Sequence, residues 1–248
     1  MKDQLQNARA ISQGSIIFKR LRGYGPVSAG LRDALATIEG HAHHIRRGVD
    51  FVRSGDRIHS MYVVESGWAM RYVLTKDGRR QIVSIVLPGE IVGYESAMIG
   101  QATHTVAALT DMQVTEVRSD KVFDLVSRFP ELIRVLAWRH DSEAARMEAQ
   151  TMRLGRLSAT HRMAHFMHEL CLRLDQVDKV AENTFHFRMT QTELADALGL
   201  SLVHTNRQVQ HFKRAGIFSI SQGQITISDP ERLKDIAENG DAPDLHAA

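Results

Sequence analysis

Residues 201–214 combine side chains that can bond to DNA bases and to phosphates. Arg207 can donate two hydrogen bonds to guanine, Asn206 can bond to an adenine edge, and Val203 can contact a thymine methyl group. The stretch 197–228 contains no Asp or Glu, so no carboxylate within it repels phosphates. Base contacts would give such a segment its sequence preference, and phosphate contacts would orient it. The predicted contacts to double-stranded DNA are Gln191, Ser201, Val203, His204, Asn206, Arg207, Gln210 and Lys213.

Two short helices must position these side chains. Thr190 and Glu193 have the spacing of a capping box, which predicts a helix that begins at Gln191. Gly199 ends this helix, and Ser201 caps a second one. The residues of the second helix that we expect to face inward, at spacings of four and three, are Thr205, Val209 and Phe212.

Two helices joined at a glycine are typical of a helix-turn-helix, whose second helix enters the major groove. The runs 217–219 and 224–227 flank a Gln-Gly turn and predict a small hairpin after it. The alternative is an ordinary helical hairpin with a solvated polar face.

The preceding region has a different periodicity. Between residues 45 and 120, short runs rich in Val, Ile and Tyr alternate with Gly-containing turn signals, which predicts an all-β unit. A short helix at 31–39 precedes it. The clearest strands are 61–64, 68–74, 81–87, 105–109 and 114–117.

A long helix is predicted over 130–157, with a length of about 40 Å at 1.5 Å per residue. Apolar or small residues recur along it at spacings of three and four, as in a coiled coil, and favour pairing with a second copy of the chain. The alternative is a helix packed wholly on its own β unit. The predicted dimer-interface residues are Ile133, Leu136, His140, Ala144, Met147, Thr151 and Leu154.

Composition and targeting signals exclude several classes of protein. The 248 residues are 43% hydrophobic and 24% charged, which is typical of a folded chain, and the net charge of +2 indicates no partner by itself. Cys171 is the single cysteine, which excludes a disulfide framework, a four-cysteine zinc site and a cysteine-ligated iron-sulfur cluster. The sequence has no signal-peptide pattern and no run of about 18 apolar residues, so we expect a cytoplasmic protein without a membrane partner.

The segment MTQTELADALGLSLVHTNRQVQHFKRAGIFSI, followed by GQITISDPERL, resembles the winged helix-turn-helix of the catabolite activator and fumarate-nitrate regulator (CRP/FNR) superfamily. Upstream, RSGDRIHSMYVVESGWAMRYVLTKDGRRQIVSIVLPGEIVGYESAMIG is similar to the β-roll of that family. The resemblance covers roughly residues 40–235 and includes the long helix. It implies a homodimeric transcription regulator that binds a palindromic site, with RNA polymerase as a partner of an activator.

The resemblance also implies the fold class and the domain organisation. We expect an α+β chain with an N-terminal double-stranded β-roll, a long dimerisation helix and a C-terminal winged helix-turn-helix. The predicted domains are an N-terminal arm at 1–30, a β-roll sensor at 31–120, connecting and dimerisation helices at 121–157, a DNA-binding domain at 158–240 and a tail at 241–248.

The chain departs from the family at the positions that contact the effector. Members that bind cyclic nucleotides carry Gly-Glu and, eleven residues on, Arg-Ser, where this chain has Gly93-Tyr94 and His104-Thr105. Without the arginine a buried phosphate loses its bidentate partner, so we expect no cyclic AMP in that mode. The β-roll is then either a purely structural body or the pocket of an unknown small-molecule effector. The candidate pocket residues are Gly93, Tyr94, Glu95, Ser96, His104, Thr105 and Met147.

The chain also departs from the family at residues that would bind an iron-sulfur cluster and at one that would contact the DNA operator. The iron-sulfur branch of the family needs several N-terminal cysteines, and no cysteine precedes Cys171 in this sequence. The family often has a glutamate at the position of Val203, which would accept from cytosine, so we expect a different operator there.

Cys171 and two histidine groups are the remaining reactive side chains. Cys171 is either a redox switch or, as we expect, a buried inert thiol. His161, His165 and His168 have a spacing that can hold zinc, and a second group at 41–44 could bind metal or haem or sense protons. Neither group has a second half-motif, so we expect no metal site, a solvated helix face for the first group and either a solvated face or a proton sensor for the second.

Two further functions stay as alternatives at this point. One alternative is a sensor module that regulates a protein partner. Its affinity for that partner would depend only weakly on salt, whereas the affinity of a DNA-binding protein for DNA falls steeply with salt. For an enzyme we find no phosphate-binding glycine loop, nucleophile motif or paired metal half-site in the sequence, so we expect none.

Overall fold

The structure is a computed structural model that describes residues 8–10, 16, 19 and 27–239. Most of the predicted arm at 1–30 and the whole tail at 241–248 lie outside the described residues. The helices are α1 (Ala29–Ala36), α2 (Tyr94–Ile99), α3 (Ser119–Arg128), α4 (Glu131–Arg156), α5 (Ala159–Asp175), α6 (Gln191–Leu198), α7 (Leu202–Arg214) and α8 (Pro230–Asn239).

Twelve strands accompany these helices in the described residues. They are β1 (Ala8–Ala10), β2 (Glu39–Ile45), β3 (Asp50–Val52), β4 (Ser60–Ser66), β5 (Ala69–Leu74), β6 (Arg80–Val86), β7 (Ile91–Val92), β8 (Thr105–Ala108), β9 (Met112–Arg118), β10 (Thr184–His186), β11 (Phe218–Ser221) and β12 (Gln224–Ile227). The chain divides into two compact units, one with residues up to Val73 plus Ser84–Ala145, the other with Leu74–Val83 plus the residues from Arg146 onward.

The N-terminal unit is built on two antiparallel sheets. One has the strand order β1-β2-β9-β4-β7 and the other the order β3-β8-β5-β6. Val64 and Val114 of the first sheet and Ala69 and Val106 of the second belong to one buried cluster, so the sheets pack face to face. This arrangement confirms the predicted β-roll.

All five predicted strands are present, and the structure adds β1, β2, β3, β7 and helix α2. At the β4–β5 turn, Gly67 has a φ of +85°, and a Cβ there would collide with the Asp111 carbonyl and Met112. Only glycine fits this turn without strain.

A second apolar cluster joins three helices to the sheet. Leu31 of α1, Val122 and Leu125 of α3 and Leu132 of α4 are buried together with Val117 of β9. The sequence predicted the first helix at 31–39, whereas α1 spans Ala29–Ala36 because Glu39 already begins β2.

Helix α4 is a single element of 26 residues, one residue shorter at each end than predicted. On the predicted stripe, Ile133, His140, Ala144 and Thr151 are exposed in the protomer. Leu136 differs, because it packs against the cluster around Leu31 and Leu132 within the same chain. The half-buried residues of the stripe are Leu136, Met147 and Leu154.

In the C-terminal unit, α6 and α7 pack against α5, and strand β11 of a three-stranded sheet of order β10-β12-β11 packs against α7. Helix α8, which the sequence analysis missed, covers α5 with Leu233 and Ile236 buried. In the described part of the chain, no helix is both long and apolar enough to cross a bilayer.

Candidate nucleic-acid interface

Helix α6 begins at the capping box that the sequence predicted. The backbone N–H of Glu193 donates to Thr190 Oγ1 at 3.2 Å, and the Thr190 N–H donates to Glu193 Oε2 at 2.6 Å. Two of the N–H groups that a helix leaves unpaired at its start are therefore satisfied. Leu194 and Leu198 are buried on the inner face.

The turn between α6 and α7 depends on Gly199. Its φ is +61°, a left-handed conformation in which a side chain is strained. A Cβ at this position would also lie 2.9 Å from Leu154 Cδ2. The left-handed backbone thus favours the glycine that the sequence predicted at the end of the first helix, and a Cβ there would also displace the end of the Leu154 side chain.

Helix α7 is fixed to the unit by its inner face. Ser201 Oγ accepts from the His204 N–H at 3.2 Å, which caps the helix start. Thr205, Val209 and Phe212 are buried as predicted, and Phe212 stacks on Phe218 with ring centroids 4.8 Å apart. These contacts hold the opposite face of α7 toward solvent.

Part of the predicted set of DNA contacts lies on that outer face. Val203 is 76% exposed, and Arg207 and Gln210 are exposed one turn and two turns further along the helix. The other predicted contacts that are exposed are Gln191 at the start of α6, Ser201 before α7 and Lys213 in its last turn. The polar side chains among them carry donors that base edges and phosphates can accept, and Val203 offers an apolar surface to a thymine methyl group.

Asn206 and His204 differ from the expectation because both are half-buried. Asn206 Oδ1 is shielded from solvent and has no hydrogen-bond partner among the described residues. In this rotamer Asn206 does not present a full carboxamide to an adenine edge, so Arg207 is the better placed base-contacting residue.

Gln208 is a residue of this surface that the sequence analysis missed. Its Oε1 accepts from Thr160 Oγ1 at 3.0 Å, and its Nε2 lies 3.4 Å from His204 Nε2. Gln208 therefore orients His204. Little in the sequence indicates this role, since the partner Thr160 lies 48 residues earlier in the chain.

The hairpin after α7 has the form of a wing. Strands β11 and β12 pair around Gln222 and Gly223, which have φ values of +50° and +72°. Two successive positive φ values match the tight turns of two-residue hairpins. The tip is exposed, on the same unit as α7.

The candidate effector residues of the N-terminal unit lie around α2 and β8. Gly93 has a φ of +77° and begins α2, and Ser96 is fully buried. His104 Nε2 is shielded and has no partner among the described residues. Burial, with the nearby Arg71 charge, lowers the pKa of His104 to about 4, so this imidazole is neutral at pH 7.

Two arginines that the sequence analysis did not single out complete this region. Arg71 of β5 lies 3.2 Å from Glu143 of α4, and Arg139 donates to the same carboxylate at 2.8 Å. Arg139 also donates to the Ile91 carbonyl at 2.7 Å and lies over the Tyr94 ring. Both guanidinium groups are thus paired with one glutamate of the chain.

Glu95, Thr105 and Met147 are the remaining candidate effector residues. Glu95 Oε1 lies 4.0 Å from His140 Nδ1, and Thr105 Oγ1 accepts from the Ser54 N–H at 3.2 Å. Met147 belongs to the other compact unit.

The α5 histidines are not the solvated face that we expected. His165 Nδ1 lies 2.9 Å from Arg153 Nη2, and Arg153 also pairs with Glu169. Burial and the Arg153 charge lower the pKa of His165, and burial lowers that of His168. In the described residues no group of three His, Cys, Asp or Glu side chains could hold a metal ion.

The histidines of β2 and Cys171 are the other reactive side chains that the sequence analysis singled out. His41, His43 and His44 are exposed on β2, where His43 Nε2 lies 2.6 Å from Glu116 Oε2. Burial raises the pKa of the half-buried Cys171 thiol, which disfavours the reactive thiolate.

Comparison with known proteins gives the same two-part organisation. Residues 42–129 match the family model of the cyclic nucleotide-binding domain, and residues 161–236 match that of the Crp-like helix-turn-helix domain. The chain is 28% identical to the anaerobic regulatory protein of Haemophilus influenzae, over 79% of this chain and 76% of the relative. It is 27% identical to the fumarate and nitrate reduction regulatory protein of Yersinia pestis, over 84% and 82%.

The structure of FixK2 from Bradyrhizobium japonicum is similar, with a TM-score of 0.72 and 25% identity, and the match covers 82% of this chain and 98% of FixK2. The relatives are regulators and not enzymes. With its β-roll, its long helix and its DNA-binding helix-turn-helix, the chain belongs to the CRP/FNR superfamily of transcriptional regulators.

Proposed function

We propose that the chain acts as a homodimer that binds a palindromic DNA operator, with α7 of each protomer in the major groove of one half-site. The observation that carries the proposal is the outer face of α7, where Val203, Arg207 and Gln210 are exposed in a stretch free of carboxylates. Arg207 is the proposed base-contacting residue and Lys213 a phosphate contact.

The proposed dimer forms through α4. Ile133 is 55% exposed, and His140, Ala144 and Thr151 continue the exposed stripe along the helix. Two such stripes packed together bury these residues and produce a two-fold axis, which matches a palindromic site. Native mass spectrometry tests this step, with an expected mass of twice 27.9 kDa.

We further propose that the N-terminal unit does not bind cyclic AMP in the family's usual mode. A tyrosine, Tyr94, and a neutral histidine, His104, replace the glutamate and arginine of that mode. Arg71 and Arg139 do not substitute for the missing arginine, because a phosphate would compete with Glu143 for both. The same native spectrum reports any retained small-molecule effector as added mass, and it also tests for an iron-sulfur cluster, which we propose is absent.

The proposed place of action is the cytoplasm, with RNA polymerase as the protein partner where the chain activates transcription. This proposal rests on the family and on the acid-free surface at 197–228, which suits double-stranded DNA.

Selection from a random pool of DNA duplexes tests the DNA-binding function. We expect an enriched palindrome whose half-sites lie about one helical turn apart. Its affinity, followed by fluorescence anisotropy, should fall steeply and linearly on a log scale with salt. A pool without an enriched sequence, or an affinity independent of salt, would favour a regulator of a protein partner.

A further inference from the structure

The last turn of α6 is held from outside the helix-turn-helix. An α-helix leaves its final carbonyls without an intrahelical donor. Here the carbonyl of Asp196 accepts from Gln81 Nε2 at 2.6 Å, and that of Ala197 accepts from Gln150 Nε2 at 2.9 Å. The next carbonyl, of Leu198, accepts from Arg162 Nη1 at 3.2 Å. Three side chains from three elements thus satisfy three consecutive carbonyls.

An ion pair at the same turn reinforces these hydrogen bonds. The Arg80 guanidinium contacts the Asp196 carboxylate through Nη2 at 2.8 Å and through Nε at 2.9 Å. Both side chains are about three-quarters buried, with exposures of 28% and 24%. Since Arg80 and Gln81 are neighbours on β6, they hold both the side chain and the carbonyl of one α6 residue.

The donors are themselves fixed in place. Gln150 is 7% exposed, and its Oε1 accepts from Arg153 Nη1 at 2.8 Å. Arg162 Nε donates to the Leu157 carbonyl at 2.9 Å. Gln150 and Arg162 therefore each have one hydrogen bond that orients the side chain and another that reaches the turn.

The held turn is the one that joins α6 to the recognition helix. Gly199 follows the three carbonyls directly, and α7 begins three residues later. An angular change at the turn shifts Arg207 relative to the DNA, and base contacts tolerate little displacement. The contacts of Arg80, Gln81, Gln150 and Arg162 lie within the C-terminal unit.

We propose that Arg80, Gln81, Gln150 and Arg162, here named the turn clamp, are positioning residues for specific DNA recognition. None of them needs to touch DNA in this role, because they act by fixing α6 and hence the direction of α7. The inference deepens the proposed DNA-binding function and depends on it.

Affinities for two duplexes test the clamp, namely the palindrome selected by the wild-type protein and a scrambled duplex of equal length. Arg80→Gln and Gln81→Ala should bind the palindrome about three- to tenfold more weakly, as expected for one or two lost hydrogen bonds. Their affinity for the scrambled duplex should change much less, because non-specific binding depends on charge rather than on geometry.

Arg79→Gln is the matched control for Arg80→Gln. Arg79 is the preceding residue, it is 81% exposed, and it pairs with Asp77 rather than with α6. The charge change is identical, so we expect this variant to retain the wild-type ratio of the two affinities. Equal loss on both duplexes for Arg79→Gln and Arg80→Gln would show that only long-range charge matters and would overturn the proposal.

The exchange variant with Arg80→Asp and Asp196→Arg gives a second test. It restores the ion pair in reverse and keeps the net charge, so it should regain the palindrome preference that Arg80→Asp alone loses. Failure of the exchange together with an unaltered ratio for Gln81→Ala would refute the clamp. If the wild-type protein selects no palindrome, the proposed function fails first; a wild-type palindrome bound equally by all clamp variants refutes the clamp alone.

Discussion

The carboxylate of Glu143 lies 3.2 Å from Arg71 Nη1 and 2.8 Å from Arg139 Nη1, so one glutamate pairs with two guanidinium groups. All three side chains are at most 12% exposed. A buried ion pair that loses one partner leaves an uncompensated charge, which costs far more than the pair contributes.

Glu143→Gln should therefore destabilise the N-terminal unit by about 3 to 5 kcal/mol, the range for breaking a buried pair. Urea unfolding monitored by fluorescence measures the change. Asp77→Asn, which breaks the exposed Asp77–Arg79 pair, is the control and should have no measurable effect. Equal midpoints for both variants would mean that the Glu143 network is not buried as described.

The pH dependence of stability should reflect His104. Its pKa is lowered to about 4, whereas an unfolded histidine titrates near 6.5, so the unfolded chain binds the proton first. Stability is therefore fully present above pH 6.5 and falls as the pH decreases toward 4. His104→Asn should flatten this slope in urea unfolding at several pH values. His186→Asn, at an exposed position, should retain the wild-type slope.

Two cationic residues of α7 should affect DNA binding in different ways. Arg207→Ala should cost about 1 to 3 kcal/mol on the selected palindrome and relax the preference at one base pair per half-site. Lys213→Ala should weaken all duplexes similarly and reduce the salt slope by about one. Anisotropy titrations with single-base variants distinguish them. An unchanged base preference for Arg207→Ala would assign recognition to other residues.

Gly199 and Gly216 allow backbone strain and crowding to be measured separately. Both have left-handed φ values, +61° and +67°, but a Cβ meets Leu154 only at Gly199, since nothing lies within 4 Å at Gly216 among the described residues. Gly216→Ala should cost about 1 to 2 kcal/mol from the backbone alone. Gly199→Ala should cost more in urea unfolding, and a shorter side chain at Leu154 should recover part of the excess.

The dimer surface is tested by two exposed apolar residues of α4. Ile133 is 55% exposed and lies on the predicted stripe, whereas Met152 is 50% exposed and lies about 100° away around the helix. Ile133→Asp should shift sedimentation toward monomer, because it places a charge in the proposed coiled-coil seam. Met152→Asp should leave the dimer intact. The reverse result would move the interface to another face of α4.

The sequence predicted best what local signals determine. The capping box at Thr190 and Glu193, the glycine at 199 and the inward spacing of α7 each depend on a few neighbouring residues, and all are present in the structure. Helix α8 had the same kind of signal, since Asp229 precedes Pro230 and its Oδ1 accepts from the Arg232 N–H at 3.0 Å. That signal was overlooked rather than absent.

Long-range contacts could not be predicted in this way. Strand β2 is polar, with His41, His43 and His44 exposed, and it forms because β1 and β9 pair with its two edges. The contact between Gln81 and Asp196 joins residues 115 positions apart, and no spacing in the sequence indicates it. The sequence motifs therefore predicted the residues of the candidate site but not the distant residues that position them.

The capped end of α6 also affects how this protein can be divided or recombined. A fragment that starts at residue 158 keeps Arg162 but loses Gln81 and Gln150. Two carbonyls of α6 would then accept hydrogen bonds from water instead of from these side chains. In a chimaera that exchanges DNA-binding modules between relatives, the graft must therefore include the matching start of β6 and the matching end of α4. The proposed unit of operator recognition in this chain is thus discontinuous in sequence.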